Sequence, residues 1–395
     1  MSDDISTSYF CDETVKTGLD ALLIGVSQYP FVGKVGMEDL FGPALSVMEM
    51  ADWLVENRKE LFFPLKSVRL LASPLPQEVA MSPKLAQQPR ALLEQVKEVA
   101  GNWQKAASES PDGATLFYFA GHGIQRSKGD SVLLLEDFLD PASITDLERT
   151  IGVNNIYNGM GNFRSHPQLA RTQFYFIDAC RVDLEKLRLA DFEAQEPSPL
   201  FKVERGGVDD RTAPIFFGAA AGKAAWNQTG VSTLFWQDLR ACLDGQASEK
   251  RRGADGQHEW VVTVGQLNDS LCKMVNRFNA ARGLEMRSFN LDKFSAGALD
   301  ARIRRLGKAP LVPCRIELLP EEAAGHVTVT IDLPGVKEAE SHPGSASGLS
   351  FEMEANIYRI GAALDPDFKS NYRAPVPDFQ PVEPPFFHYE IRLSE

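Results

Sequence analysis

The chain has 395 residues, 44% of them hydrophobic and 24% charged, which excludes a mainly disordered or collagen-like protein and leaves room for two folded domains. A formal net charge of -13, without a clustered Lys/Arg stripe, argues against a nucleic-acid partner, because phosphate binding needs concentrated positive charge. The start, MSDDISTSYFCDETVKTG, has no basic segment leading into an apolar run, and no 18 apolar residues follow one another anywhere. The expectation is a cytoplasmic protein without a membrane span.

In chain order, Ala21 to Val26 is a short continuous apolar run of the kind that forms a strand buried on both faces. The next segment places Ala44, Val47, Met48, Ala51, Leu54 and Val55 at three- and four-residue spacing, which predicts a helix with one apolar face. Ser67 to Leu71 reads as a second strand. After a Pro-rich loop at 74–89, a helix is predicted with Leu92, Leu93, Val96, Val99, Ala100, Trp103 and Ala107 on one side. Thr115 to Ala120 and Gln173 to Asp178 are aromatic, apolar strands, and VLLLEDF and APIFFGA are further ones. Thr263 and Gln266 have capping-box spacing before a helix bearing Leu267, Leu271, Met274 and Phe278. This alternation predicts an α/β domain over 17–300, preceded by an N-terminal tail at 1–16. From about 308, CRIELL, HVTVTIDL, LSFEMEANIYRI and FFHYEIRL alternate apolar with polar residues, predicting a small β domain over 308–395.

The five cysteines, at 11, 180, 242, 272 and 314, are odd in number and widely spaced, which fits free thiols in a reducing compartment better than disulfides or a zinc site. Two strand ends carry special residues: TLFYFAGHG puts His122 after one strand, and QFYFIDACR puts Cys180 after another. Open α/β sheets form their sites beyond the carboxyl ends of strands. A free thiol is only a few per cent thiolate at neutral pH, so a nucleophilic cysteine needs a neighbouring base, which His122 can be. The backbone N–H groups of Gly123 and Cys180 are the candidates to hold the negative oxygen of a tetrahedral intermediate. The other cysteines read as small buried residues, and His166, His258, His326, His342 and His388 as loop histidines.

The pairing of strand-Gly-His-Gly with strand-Asp-Ala-Cys-Arg resembles the caspase and metacaspase superfamily. The likeness spans about 17–295, with ALLIGVSQY similar to that family's first strand and GAAAGKAAWNQTGVSTLFWQDL to its substrate loop and following helix. It leaves out the C-terminal β segment. The resemblance implies a mainly parallel six-stranded sheet between helices, with His122 and Cys180 as the catalytic pair of a cysteine endopeptidase acting on protein or peptide substrates. It further suggests a regulated protease serving cell death or defence signalling. For the C-terminal β domain, outside the resemblance, three roles stay open: binding a regulatory protein, recognising the substrate, or buttressing the catalytic sheet. The long acidic segment from Val182 to Arg211 reads as strandless. It corresponds to a loop that relatives are cut in, with Lys202, Arg205 and Arg211 as cleavage points, and an uncut solvated linker fits equally well. Two other functions compete: a catalytically silent interaction module, and another cysteine hydrolase or acyl transferase on an α/β scaffold.

The resemblance also bears on specificity and cofactors. Where caspases carry a Gln and an Arg that accept aspartate, this chain has Asp178 and, after Trp226, Asn227. Asp178 resembles the pocket acid with which metacaspases and paracaspases accept Arg or Lys, while Trp226 is placed to wall the neighbouring subsite. The second pocket acid of metacaspases is replaced near Ser46, and the serine before Gly-His by Ala120. The alternative for Asp178 is a strand-end acceptor of backbone hydrogen bonds. Asp137 and Asp140 stand where a calcium site begins, but Val153 and Asn154 replace the acidic pair expected further on. No metal or other cofactor is therefore expected.

Overall fold

The computed structural model describes residues 8–127, 130–161, 168–179, 182–183, 195–203, 209–219, 230–253, 256–283, 287–293, 296–336, 339–368 and 371–395. Two compact units are formed, one from 1–240 with 271–303 and the other from 241–270 with 304–395. The sequence reading draws its boundary at 300–308; the second unit in addition takes in 241–270.

The first unit contains β1 (Phe10–Cys11), β2 (Leu19–Val26), α1 (Pro43–Glu56), β3 (Leu65–Ser73), α2 (Pro76–Met81), α3 (Leu93–Ala107) and β4 (Ala114–Gly121). There follow β5 (Gly123–Ser127), β6 (Asp130–Leu134), β7 (Thr150–Gly152), α4 (Val153–Gly159), β8 (Thr172–Ala179), β9 (Val182–Asp183) and β10 (Ile215–Phe217). Among the described residues the central sheet has seven strands in the order β1-β3-β2-β4-β8-β10-β13, the last being Asn290–Asp292. Its inner pairs are parallel. Its two short edge strands run antiparallel, so the expected six-stranded, mainly parallel sheet is extended to a mixed one, and part of the expected tail is β1.

Side chains alternate across each inner strand. Leu22, Ile24, Phe117, Phe119, Tyr175 and Ile177 join Val96, Val99, Ala100 and Trp103 of α3 in one core. The intervening residues, among them Leu23, Leu116, Tyr118 and Phe176, are buried on the opposite face. There α1 lies close enough that a Cβ on Gly25 would stand 2.5 Å from Val47, so only glycine fits. On that face Tyr118 packs beside Trp236 of α5 (Leu234–Ala241), with ring centroids 6.2 Å apart. Being buried on both faces is why these strands read as unbroken apolar runs.

Several local expectations change. The Pro-rich stretch 74–89 contains α2, because Pro76 stands in its first turn, where the missing N–H costs nothing. The VLLLEDF strand stops at Leu134, and the Asp137 carboxylate instead accepts the N–H of Leu93 at the start of α3. The segment expected to be strandless contains β9, and Ser198 bridges to Ile151. Cys11 is exposed on an edge strand, whereas Cys242 and Cys314 are buried.

The second unit is built from β11 (Ser248–Arg252), β12 (His258–Thr263), β14 (Arg302–Leu306), β15 (Leu311–Leu319), α7 (Glu321–Ala324), β16 (Val327–Asp332), β17 (Glu340–Pro343), β18 (Leu349–Glu354), β19 (Asn356–Leu364), β20 (Asp378–Val382) and β21 (Phe387–Arg392). Among the described residues these form the sheets β11-β12-β14, β18-β15-β21 and β17-β16-β19-β20. Val312, Cys314, Ile316 and Leu318 of β15 meet Val327, Val329 and Ile331 of β16 in its core, as their alternation predicts. Helix α6 (Val264–Arg282) is capped where the sequence signals it, Thr263 Oγ1 accepting the Gln266 N–H at 3.3 Å.

Candidate active site

The parallel register of β4 and β8 brings two strand ends side by side, Gly121 pairing with Ala179. His122 follows directly. Its backbone N–H donates to the Tyr29 hydroxyl at 2.7 Å, and its ring lies against the Tyr29 ring with centroids 4.7 Å apart. Nε2 is 2.8 Å from the backbone oxygen of Glu38. A carbonyl can only accept, so Nε2 carries the proton, and in the neutral imidazole Nδ1 is the bare acceptor. Burial disfavours the imidazolium and lowers the His122 pKa from its ordinary 6.5, opposed by the Glu38 carbonyl and the Asp39 carboxylate. The group is therefore half-buried, held in one tautomer and neutral at physiological pH, as a general base must be.

The loop from Ser27 to Gly42 that brings Glu38 to the histidine is tied down at both ends. Tyr29 N–H donates to Asp39 Oδ1 at 2.6 Å, and Leu40 N–H to the Ser27 carbonyl. Buried Glu78 accepts from Ser27 Oγ and Gly42 N–H at one oxygen and from Leu75 N–H at the other. Nothing in the sequence announces Glu38, because it acts through its backbone; Tyr29 closes the ALLIGVSQY segment that resembles the family's first strand, but nothing there gives it a role.

Cys180, Trp226, Asn227 and His166 lie outside the described residues. Gly123 begins β5, whose Ile124 pairs in parallel with Val182. On the α1 and α5 side of the sheet, Asp178 is 4% exposed and accepts hydrogen bonds at Oδ2 from Tyr118 Oη (3.2 Å) and Thr233 Oγ1. Burial pushes its carboxyl up to about 6, against the pull of the Thr233 and Tyr118 hydroxyls and the Arg287 charge. Ser46 does not touch Asp178: its hydroxyl lies 3.0 Å from Thr233 Oγ1 and donates to the Gly42 carbonyl. Ala120 stands opposite Asp178 in register. The sequence reading thus assembles Asp178, Ser46 and Ala120 in one neighbourhood and misses Thr233 and Tyr118, which link them. Both bonds made by Asp178 come from side chains, so it is no strand-end acceptor of backbone N–H groups among the described residues.

The two candidate calcium ligands are engaged elsewhere. Asp137 pairs with Arg149 at 2.8 Å, Asp140 accepts the Ala142 N–H, and Asn154 reaches Asp130. In the second unit Glu317, His388 and Glu390 converge, but Arg315 already pairs with Glu317, and Arg392 with Glu390. That unit also has a cavity of about 560 Å³ lined by Trp260, Ile357 and Pro381, among others.

A family model described as the caspase domain matches residues 20–282. No curated protein matches the chain. Among solved structures, caspase-1 from Spodoptera frugiperda is similar over 71% of this chain and 87% of its own, at 12% identity and a TM-score of 0.40. Protein GSU0716 from Geobacter sulfurreducens is similar over 72% of this chain and 97% of its own, at 13% identity and a TM-score of 0.44.

Proposed function

The chain belongs to the caspase family by its residues 20–282, and on that premise we propose that it is a cysteine endopeptidase in which Cys180 attacks the peptide carbonyl and His122 takes the thiol proton. One observation carries the reading: Gly121 pairs with Ala179 and Ile124 with Val182, so the chain on both sides of position 180 runs beside the chain on both sides of His122. In the reaction, Nδ1 of His122 accepts the thiol proton while the Glu38 carbonyl steadies the ring at Nε2. The thiolate adds to the carbonyl, and the N–H groups of Gly123 and Cys180 receive the oxyanion. The imidazolium then protonates the leaving amine, and water hydrolyses the acyl-enzyme.

Asp178 supports a substrate with Arg or Lys before the scissile bond. Among the described residues its two hydrogen bonds both fall on Oδ2, which offers Oδ1 to a cation, whereas an aspartate substrate buried against it would be repelled. Trp226 walls the neighbouring subsite in this reading. Fluorogenic peptides differing only at that residue, with a Cys180→Ala control, test the whole proposal. Cleavage after Arg or Lys that disappears in the control is expected; turnover retained by pure Cys180→Ala protein would sink the mechanism. No hydrolysis of any peptide by the native protein would favour a silent interaction module instead.

Turnover is expected to be independent of calcium, because the Asp137 carboxylate already serves Arg149 and the start of α3. Activity that vanishes on adding a chelator and returns with calcium would overturn this.

A further inference from the structure

We propose that Tyr29 is the positioning residue for His122, and that Gly121 lacks a side chain because the Tyr29 hydroxyl occupies the space one would need; the assignment rests on His122 acting as the base. Tyr29 is 3% exposed, so its hydroxyl needs partners inside the protein. It accepts the His122 N–H at 2.7 Å and lies 3.4 Å from the Leu134 carbonyl, to which it donates. One side chain therefore holds the histidine backbone by its oxygen and flanks the imidazole by its ring, at a centroid distance of 4.7 Å and a tilt of 53°. The backbone of Tyr29 is in turn held by Asp39, next to the Glu38 whose carbonyl takes Nε2–H. Both ends of the imidazole's support thus come from one loop.

Gly121 provides the independent observation. A Cβ built there would lie 2.7 Å from Tyr29 Oη and 3.1 Å from the Phe119 ring. No real Cβ tolerates such an approach, so any side chain at 121 displaces the hydroxyl. The first glycine of the Gly-His-Gly turn thus answers both to its own φ of +157°, which side chains rarely adopt, and to what must reach the histidine backbone. A base on a loop is useful only when held within roughly 0.5 Å and 10–20° of its working geometry. In this scheme Tyr29 acts through His122, so its loss should appear in kcat and leave KM alone.

Tyr29→Phe keeps the ring and the packing but orphans the His122 N–H. We expect kcat to fall about 10- to 100-fold with KM within about twofold. The pH profile of Cys180 alkylation by iodoacetamide, taken as the difference from Cys180→Ala, should move towards the ordinary thiol value of about 8.5. Gly121→Ala should lower kcat similarly alone and cost less in the Tyr29→Phe background, because its clash with the hydroxyl is then gone while the strain of a φ of +157° and the 3.1 Å approach to Phe119 remain. Wild-type kcat and alkylation profile in Tyr29→Phe, a loss of melting temperature alone, or fully additive effects would each overturn the assignment. If the wild-type protein neither cleaves peptides nor has a thiol reactive at low pH, it is the reading of His122 as a base that fails, and this assignment with it.

Discussion

Asp178→Asn is expected to raise the stability of the protein at pH 8 and at the same time to abolish the preference for Arg or Lys proposed above. Burial holds the Asp178 carboxyl at about 6 in the folded chain, against an ordinary 3.8. The folded state thus binds this proton more tightly than the unfolded state. Its stabilising contribution is fully present below about 3.8 and is lost as pH rises through about 6. At pH 8 the ionised group therefore costs on the order of 3 kcal/mol. Asparagine removes the charge while its carbonyl still accepts from Thr233 and Tyr118, at the loss of charge-assisted bonding. A net gain of about 1–2 kcal/mol, or a melting temperature about 2–4 °C higher, should be seen at pH 8 and vanish at pH 4. The ratio of kcat/KM for an Arg peptide over its uncharged counterpart should fall about 100-fold. In the wild type, KM for the Arg peptide should rise as pH falls through about 6, since only the carboxylate attracts a cation. Thermal melts at the two pH values and paired peptides read both effects. A variant less stable at pH 8 that keeps its Arg preference would show Asp178 to be a structural acceptor only.

His122→Ala should lower kcat by about 1,000-fold or more while leaving the fold intact. The side chain is half-buried on a strand-end turn and its ring meets only Tyr29 and the Glu38 carbonyl among the contacts described above, so its removal exposes little core. The rate loss is large because the thiol then has no acceptor for its proton at neutral pH. The wild-type pH profile carries the same information. Protonated His122 cannot act as a base, so kcat/KM rises as pH rises through its pKa, which burial has lowered. The acid limb should consequently lie below 6.5, and should be missing from the residual activity of His122→Ala. An acid limb that survives in the variant would assign it to another group.

How far the site is legible in the sequence depends on whether a residue acts by its side chain or by its place. Asp178 and His122 are visible because each follows from a strand of unmistakable apolar and aromatic character. Glu38 is invisible because only its carbonyl is used, and Thr233 because its hydroxyl matters only once folding brings α5 beside Asp178.

By itself the sequence determined the inner strands of the sheet, since burial on both faces requires the continuous runs Ala21–Val26, Thr115–Ala120 and Gln173–Asp178, and it determined which strand ends bear His122 and Cys180. The alternation of β15 and β16 was equally legible, each strand having one buried face. Only tertiary structure decided the edge strands β1 and β13, too short to carry a periodicity, and the pairing of β5 with β9. It alone also decided the meeting of Tyr29, Gly121 and His122. A hydrogen bond between residues 93 positions apart leaves no local trace, because its geometry exists only after the parallel strands have aligned.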